Sequence, residues 1–169
     1  MYSLPDNKLH VSVSLDERWN EAYGKKKLLV SSDGEYLAAL VSNTIRLIRI
    51  DNGAVKADQT YSREFDHFLF NPVQPEEIYL SDDGIIQVLN REDLSVIREI
   101  SVPGMDLSSA DPSTGNLLVY NRTDLNVIDP QDGTVLFTMR NATGKPVLMG
   151  NTLLSEWGLA LNIESYLEK

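Results

Sequence analysis

Asn43-Thr44-Ile45-Arg46-Leu47-Ile48-Arg49-Ile50-Asp51 is a run of alternating apolar residues that ends by opening a polar turn. The pattern returns twice downstream, as Ile85-Ile86-Gln87-Val88-Leu89-Asn90 and as Asp124-Leu125-Asn126-Val127-Ile128-Asp129. Alternation with period two in short β-branched runs predicts half-buried β-strands. Read from Ile50 to Leu89 and from Leu89 to Ile128, the steps are 39 residues each. A fixed period of about 40 residues is the mark of a repeat architecture.

Working outward, each run leads through a turn into another strand. The turns are Asp51-Asn52-Gly53, Arg91-Glu92-Asp93 and Pro130-Gln131-Asp132-Gly133, and the strands open at Ala54, Leu94 and Thr134. Asn-Gly and Asp-Gly pairs suit such turns because they accept positive φ, which matches the twist of antiparallel strands. Upstream of each run lies a further strand pair: Leu28 to Val30 with Tyr36 to Val41, Phe68 to Phe70 with Ile78 to Leu80, and Met105 to Ser108 with Leu117 to Tyr120. Four antiparallel strands per period describe a β-propeller blade, a unit that buries its faces only by stacking on neighbours. The sequence therefore predicts an all-β propeller of four-stranded antiparallel blades. Its repeat units span about 27–61, 65–102 and 104–140, with a partial unit over 146–164, all within one domain over 1–169. Little more than four blades fit in 169 residues, so the ring is expected to be incomplete or open. Leu9 to Leu15 reads as a lone outer strand of another blade. Ser14-Leu15-Asp16-Glu17 has the form of a capping box and predicts a short helical turn near the N-terminus.

The repeats resemble those of the WD40-repeat family. Ser32-Asp33-Gly34-Glu35-Tyr36-Leu37-Ala38 is similar to that family's Pro-Asp-Gly hairpin, and Asn43 to Asp51 to its Asp-Gly-Thr-Ile-Arg-x-Trp-Asp stretch. Phe70-Asn71-Pro72 resembles its Phe-Ser-Pro, and Ser81 to Asn90 its closing stretch, with Asn126-Val127-Ile128-Asp129 a third instance. Ile50, Leu89 and Ile128 stand where the family carries Trp, and no Gly-His pair opens a unit, so the family's Asp-His-Ser/Thr-Trp hydrogen-bond network is expected to be missing. Asp132-Gly133-Thr134-Val135-Leu136 is similar to turns of bacterial pyrroloquinoline-quinone-type propellers. The resemblance implies a protein-binding scaffold, and degenerate propellers of this kind also occur in ribosome-biogenesis complexes.

Composition narrows the chemistry. The chain has no Cys and two histidines, His10 and His67, which excludes disulfides, thiolate metal sites and a Cys nucleophile. Fifteen basic against 25 acidic residues give a net charge of −10, so phosphate backbones and anionic membranes are repelled as partners. No apolar run reaches membrane-spanning length and no secretory leader is read, and the chain is expected to be intracellular, cytoplasmic or nuclear. Carboxylates crowd the turns at Asp33, Asp51, Asp82, Asp83, Asp111, Asp129 and Asp132, where their side chains are expected to bond nearby backbone. Asp129 to Gly133 lacks the remaining ligands of a calcium loop, and neither a metal nor a cofactor is predicted. Lys25-Lys26-Lys27 reads as a solvated strand entry, and the glycosylation patterns at Asn121 and Asn141 are no more than chance supplies.

The function expected is therefore non-catalytic: a WD40-like propeller piece that acts as a scaffold subunit and binds protein partners, or its own kind, through open blade edges. The candidate interface residues are Leu9, Val11, Val13, Trp19, Tyr23, Leu153, Trp157, Leu159 and Leu161. Two alternatives stand beside it: a propeller hydrolase or lyase fragment using channel carboxylates, and a propeller subunit of a ribosome-biogenesis complex.

Overall fold

The structure is a computed structural model that describes residues 26–142, 146–155 and 160–167. Four antiparallel sheets follow one another along the chain. The first is β1 (Lys26–Val30), β2 (Tyr36–Val41), β3 (Thr44–Arg49) and β4 (Val55–Thr60). The second is β5 (His67–Phe70), β6 (Glu77–Asp82), β7 (Ile85–Asn90) and β8 (Val96–Ser101). The third is β9 (Asp106–Ala110), β10 (Leu117–Tyr120), β11 (Asp124–Ile128) and β12 (Val135–Arg140). The fourth has three strands, β13 (Val147–Met149), β14 (Thr152–Leu154) and β15 (Ala160–Asn162), followed by one helical turn, α1 (Glu164–Leu167). Each sheet is a meander in sequence order, so every sheet is a blade of the kind the repeats predict. The expected strand at Leu9 to Leu15 and the helical turn near Ser14 lie outside the described residues.

Alternation gives each blade two faces, and successive blades bury one against the next. Tyr36, Ala38, Leu40, Ile45 and Leu47 of blade 1 pack with Phe68, Phe70, Ile78, Leu80 and Leu89 of blade 2. The opposite face of blade 2, with Tyr79, Ile86, Val88 and Ile100, packs on Leu107, Leu117, Val119 and Ile128 of blade 3. Leu118, Leu125 and Val127 then meet Leu148, Leu153 and Ile163 of blade 4. Burying one such Leu or Ile side chain stabilises by about 2 kcal/mol, so stacking supplies what a lone blade lacks. The first strands of the blades pack in series, β1 on β5, β5 on β9 and β9 on β13, and form the inner wall of an arc. Between β13 and β1 no comparable packing exists among the described residues, and the arc is open.

One register in the sequence reading is corrected. In each of the first three blades the third and fourth strands slip at a bulge, between Leu47 and Ile48, Val88 and Leu89, and Val127 and Ile128. The residue of blade 1 equivalent to Leu89 and Ile128 is therefore Ile48, not Ile50. Arg49, Asn90 and Asp129 all bond across the following turn to Ala54, Ser95 and Thr134. The true steps are 41 and 39, and the link from β4 to β5 takes six residues where that from β8 to β9 takes four. Ile50 has left the sheet by then, and its amide donates to the Glu35 carbonyl.

Candidate functional site

What joins the blades beyond their apolar faces is polar and differs at each junction. Between blades 1 and 2, the Arg91 guanidinium pairs with Asp33 at 2.5 Å and lies over the Tyr36 ring, 4.5 Å from its centre. Asp33 also accepts from Ser31 Oγ and from the Glu35 amide. Burial would raise its pKa, but those hydrogen bonds and the Arg91 charge outweigh it and hold the carboxyl at about 2. Tyr61 Oη reaches across the same junction to the Leu94 carbonyl at 2.8 Å. Between blades 2 and 3, Arg98 forks onto Glu77 at 2.6 and 3.1 Å and donates to the Pro130 carbonyl at 3.1 Å. Asn71 extends this network, donating to Glu77 at 3.1 Å and to the Tyr79 hydroxyl at 2.6 Å. Burial, then the Glu77 charge, raises the Tyr79 pKa.

Between blades 3 and 4 a buried carboxylate, Asp111, works beside two hydrogen bonds, from the Leu148 amide to Ser109 Oγ at 3.2 Å and from Ser108 Oγ to the Pro146 carbonyl at 2.8 Å. Asp111 accepts from the Ser113 amide and hydroxyl within its own turn, at 2.9 and 2.8 Å. From blade 4 it accepts the Gly150 and Asn151 amides, at 3.0 and 3.1 Å. Burial works against its charge, and the four donated bonds still hold its pKa below the usual carboxylate value.

Three further turn carboxylates are engaged locally. Asp51 pairs with Arg49, Asp129 accepts from the Gln131 amide at 2.7 Å, and Asp132 accepts from the Thr134 amide at 2.8 Å. Among the described residues no group of three or more His, Asp or Glu side chains is placed to hold a metal. Asn121 accepts from the Thr123 and Asp124 amides and shapes its own turn. His67 stands edge-on to the Tyr120 ring, and on the inner wall it lines a groove of about 320 Å³ with Lys27, Leu29, Leu69, Ser108 and Ser109. Lys27 Nζ donates there to the Asp66 carbonyl.

The ends of the arc differ from its interior at matching positions. On the innermost strands, Phe68 and Phe70 of blade 2 are 4% and 8% exposed, and Leu107 of blade 3 and Leu148 of blade 4 are fully buried. Their counterparts on blade 1, Leu28 and Val30, are 49% and 59% exposed. At the other end, Val147 and Met149 point away from blade 3, on the side of the inner strand that Leu29 and Leu69 use to pack onward, and are 42% and 54% exposed. Leu153, one of the candidate interface residues, is buried against blade 3 and belongs to the internal junction, whereas Leu161 is exposed. Leu9, Val11, Val13, Trp19, Tyr23, Trp157 and Leu159 lie outside the described residues. Val147 and Met149 were detectable by the alternation of Val147-Leu148-Met149, which puts both on the face opposite Leu148.

No family model matches the sequence, and no curated protein is similar to it. Solved structures are similar in fold. The computationally designed Ika4 protein is 13% identical, with a TM-score of 0.64 over 92% of this chain and 97% of that one. The Myceliophteria thermophila Cps50 (Swd1) β-propeller domain is 14% identical, with a TM-score of 0.59 over 75% of this chain and 46% of that one. BamB from Moraxella catarrhalis is 11% identical, with a TM-score of 0.56 over 75% of this chain and 45% of that one. The chain spans less than half the length of these two natural proteins. The fold is that of a β-propeller, present here as an open arc of blades.

Proposed function

We propose that this chain is a non-catalytic protein-binding scaffold whose partner covers the terminal blades of the arc. The observation that carries the reading is the contrast on the innermost strands: apolar positions that are buried on blades 2, 3 and 4 are exposed at Leu28 and Val30 of blade 1, and Val147 and Met149 stand exposed on the far side of blade 4. Apolar side chains left in water at positions built for stacking favour association, and a propeller blade offers a neighbour a flat, β-rich face. The turn carboxylates support a scaffold over a hydrolase or lyase, since Asp33, Asp51, Asp111, Asp129 and Asp132 are each bonded to their own turn or junction. The net charge of −10 favours protein over nucleic acid as that partner.

The test is binding of an environment-sensitive naphthalene sulfonate dye, measured beside sedimentation, for the chain and for Leu28→Asp and Val147→Asp. The reading expects dye binding or self-association in the parent chain, reduced by each substitution with the circular dichroism unchanged. A monomer that binds no dye and responds to neither substitution would overturn it.

A further inference from the structure

Among the described residues, Ala39 and Ile48 are the two buried apolar side chains that belong to none of the three cores between blades. They are 2% and 0% exposed. Yet they stand on the face of blade 1 that turns away from blade 2, since their strand neighbours Ala38, Leu40 and Leu47 are the residues that pack onward. We infer that the chain's own N-terminal segment, residues 14–24, lies as a short helix across β2 and β3 and caps the first blade.

The extent of the burial gives the size of the cover. On the same face, Leu28 is in register with Ala39, and Val30 and Ile48 are both in register with Leu37. Leu28 and Val30 nevertheless remain 49% and 59% exposed. A blade stacked here would enclose β1 too, as blade 1 encloses Phe68 and Phe70 of β5. The cover is therefore narrower than a blade. Neighbouring strands lie about 4.8 Å apart, so one helix, about 10 Å across with its side chains, spans β2 and β3 and leaves β1 open.

The sequence just ahead of β1 has the pattern such a cover needs. In Ser14-Leu15-Asp16-Glu17-Arg18-Trp19-Asn20-Glu21-Ala22-Tyr23-Gly24, the apolar Leu15, Trp19, Ala22 and Tyr23 recur at the spacing of one helix face. Glu17, Asn20 and Glu21 take the opposite side. Ser14 and Glu17 form the capping box, Gly24 suits the stop, and Lys25-Lys26-Lys27 sets positive charge at the end of the helix where the dipole favours it. From Tyr23 to Lys26, the first residue of β1, three steps of chain reach about 10 Å, enough to bring the helix onto the adjoining face. Stacked repeats need a terminal unit with a polar outer side, and this helix supplies one. The inference goes beyond the protein-binding reading: it assigns Trp19 and Tyr23 to blade 1 of their own chain and leaves Leu28, Val30 and the far side of blade 4 to a partner.

The chain has no Cys, so a thiol introduced by Ala39→Cys reports its own exposure through its rate of reaction with a water-soluble aromatic disulfide. The full 169-residue chain is compared carrying Ala39→Cys alone, with Trp19→Asp added, and with Tyr23→Asp added, each over a dilution series. Val119→Cys, enclosed between blades 2 and 3, is the control for each addition. The expected result is slow reaction with Ala39→Cys alone, independent of dilution, rising by about tenfold or more with either addition, while the Val119→Cys rate stays unchanged. Ile48→Cys takes the place of Ala39→Cys if circular dichroism shows that the latter fails to fold.

Four outcomes overturn the cap. A thiol at position 39 that reacts as fast in the parent fold as in urea shows an open face. Protection lost on dilution assigns the cover to a second copy, and protection indifferent to both additions and to dilution assigns it to another segment. An equal rise with Val119→Cys shows that residues 14–24 support the whole arc instead of covering blade 1. None of these bears on the protein-binding reading, which is decided separately by dye binding and by Leu28→Asp and Val147→Asp.

Discussion

Leu94 holds a backbone conformation that the other blades assign to glycine. Its φ is +61°, and the matching turn positions are Gly53 at +71° and Gly133 at +79°. A left-handed φ costs a side-chain-bearing residue about 1 kcal/mol, so the leucine must return more than that. It does so by burial, since its side chain is enclosed in the core between blades 1 and 2, while its carbonyl accepts the Tyr61 hydroxyl across the junction. Removing a buried leucine side chain costs about 2–5 kcal/mol, which outweighs the relief of strain. Leu94→Gly is therefore expected to destabilise by about 2 kcal/mol, read as a lower urea midpoint, even though it restores the residue found at the other two turns. A midpoint at or above that of the parent would show that backbone strain dominates there.

At the scale of elements, the blades are joined by contacts that repeat in place but not in chemistry. Local hairpins were legible because Asn52-Gly53 and Asp132-Gly133 act within four residues of themselves. The inter-blade contacts were not, because Asp111 meets Asn151 across 40 positions and Arg98 meets Pro130 across 32, with no local pattern to announce either. The apparent 39-residue step at Ile50 misled for a related reason: apolar and polar residues go on alternating through Arg49 and Ile50, although β3 passes its bulge at Leu47 and Ile48 and ends at Arg49. Glu77 is almost fully buried and Arg98 partly so. Arg98→Ala therefore leaves a carboxylate held only by neutral donors, Asn71 and the Tyr79 hydroxyl among them, at a cost of about 3 kcal/mol. Replacing both Glu77 and Arg98 by Met should cost less than the single change, and a double-mutant cycle by urea unfolding measures the difference. The first junction responds to acid instead. With its folded pKa held at about 2, below the ordinary 3.8, Asp33 adds stability that is complete above pH 4 and is lost as pH falls from there toward 2. Unfolding midpoints at pH 5, 4, 3 and 2 should fall less steeply for Asp33→Asn than for the parent.

For the whole molecule, a stack of repeats makes stability a sum of blade terms and junction terms, so a blade's place in the arc sets how readily it opens. Blades 2 and 3 are packed on both faces, and their central strands β6, β7, β10 and β11 contain fully buried Ile78, Leu80, Ile86, Leu118 and Val127. Among the described residues blade 4 has three strands of three residues each, one neighbouring blade, and the Asp111 clasp as its main polar tie to blade 3. Phe137 against Tyr166 of α1, with ring centres 5.4 Å apart, adds a peripheral contact. Native-state hydrogen exchange should then rank the backbone amides: strongest protection in β6, β7 and β10, intermediate in β2 and β3, weakest in β14. Asp111→Asn sharpens the test, because its amide nitrogen can place a donor against the Gly150 or Asn151 amide where an acceptor is needed. Protection in β14 should drop at least tenfold while that in β7 stays within twofold of the parent. Equal loss in both strands would mean that the four blades open as one cooperative unit, with the junctions as the strong terms and the single blades as the weak ones.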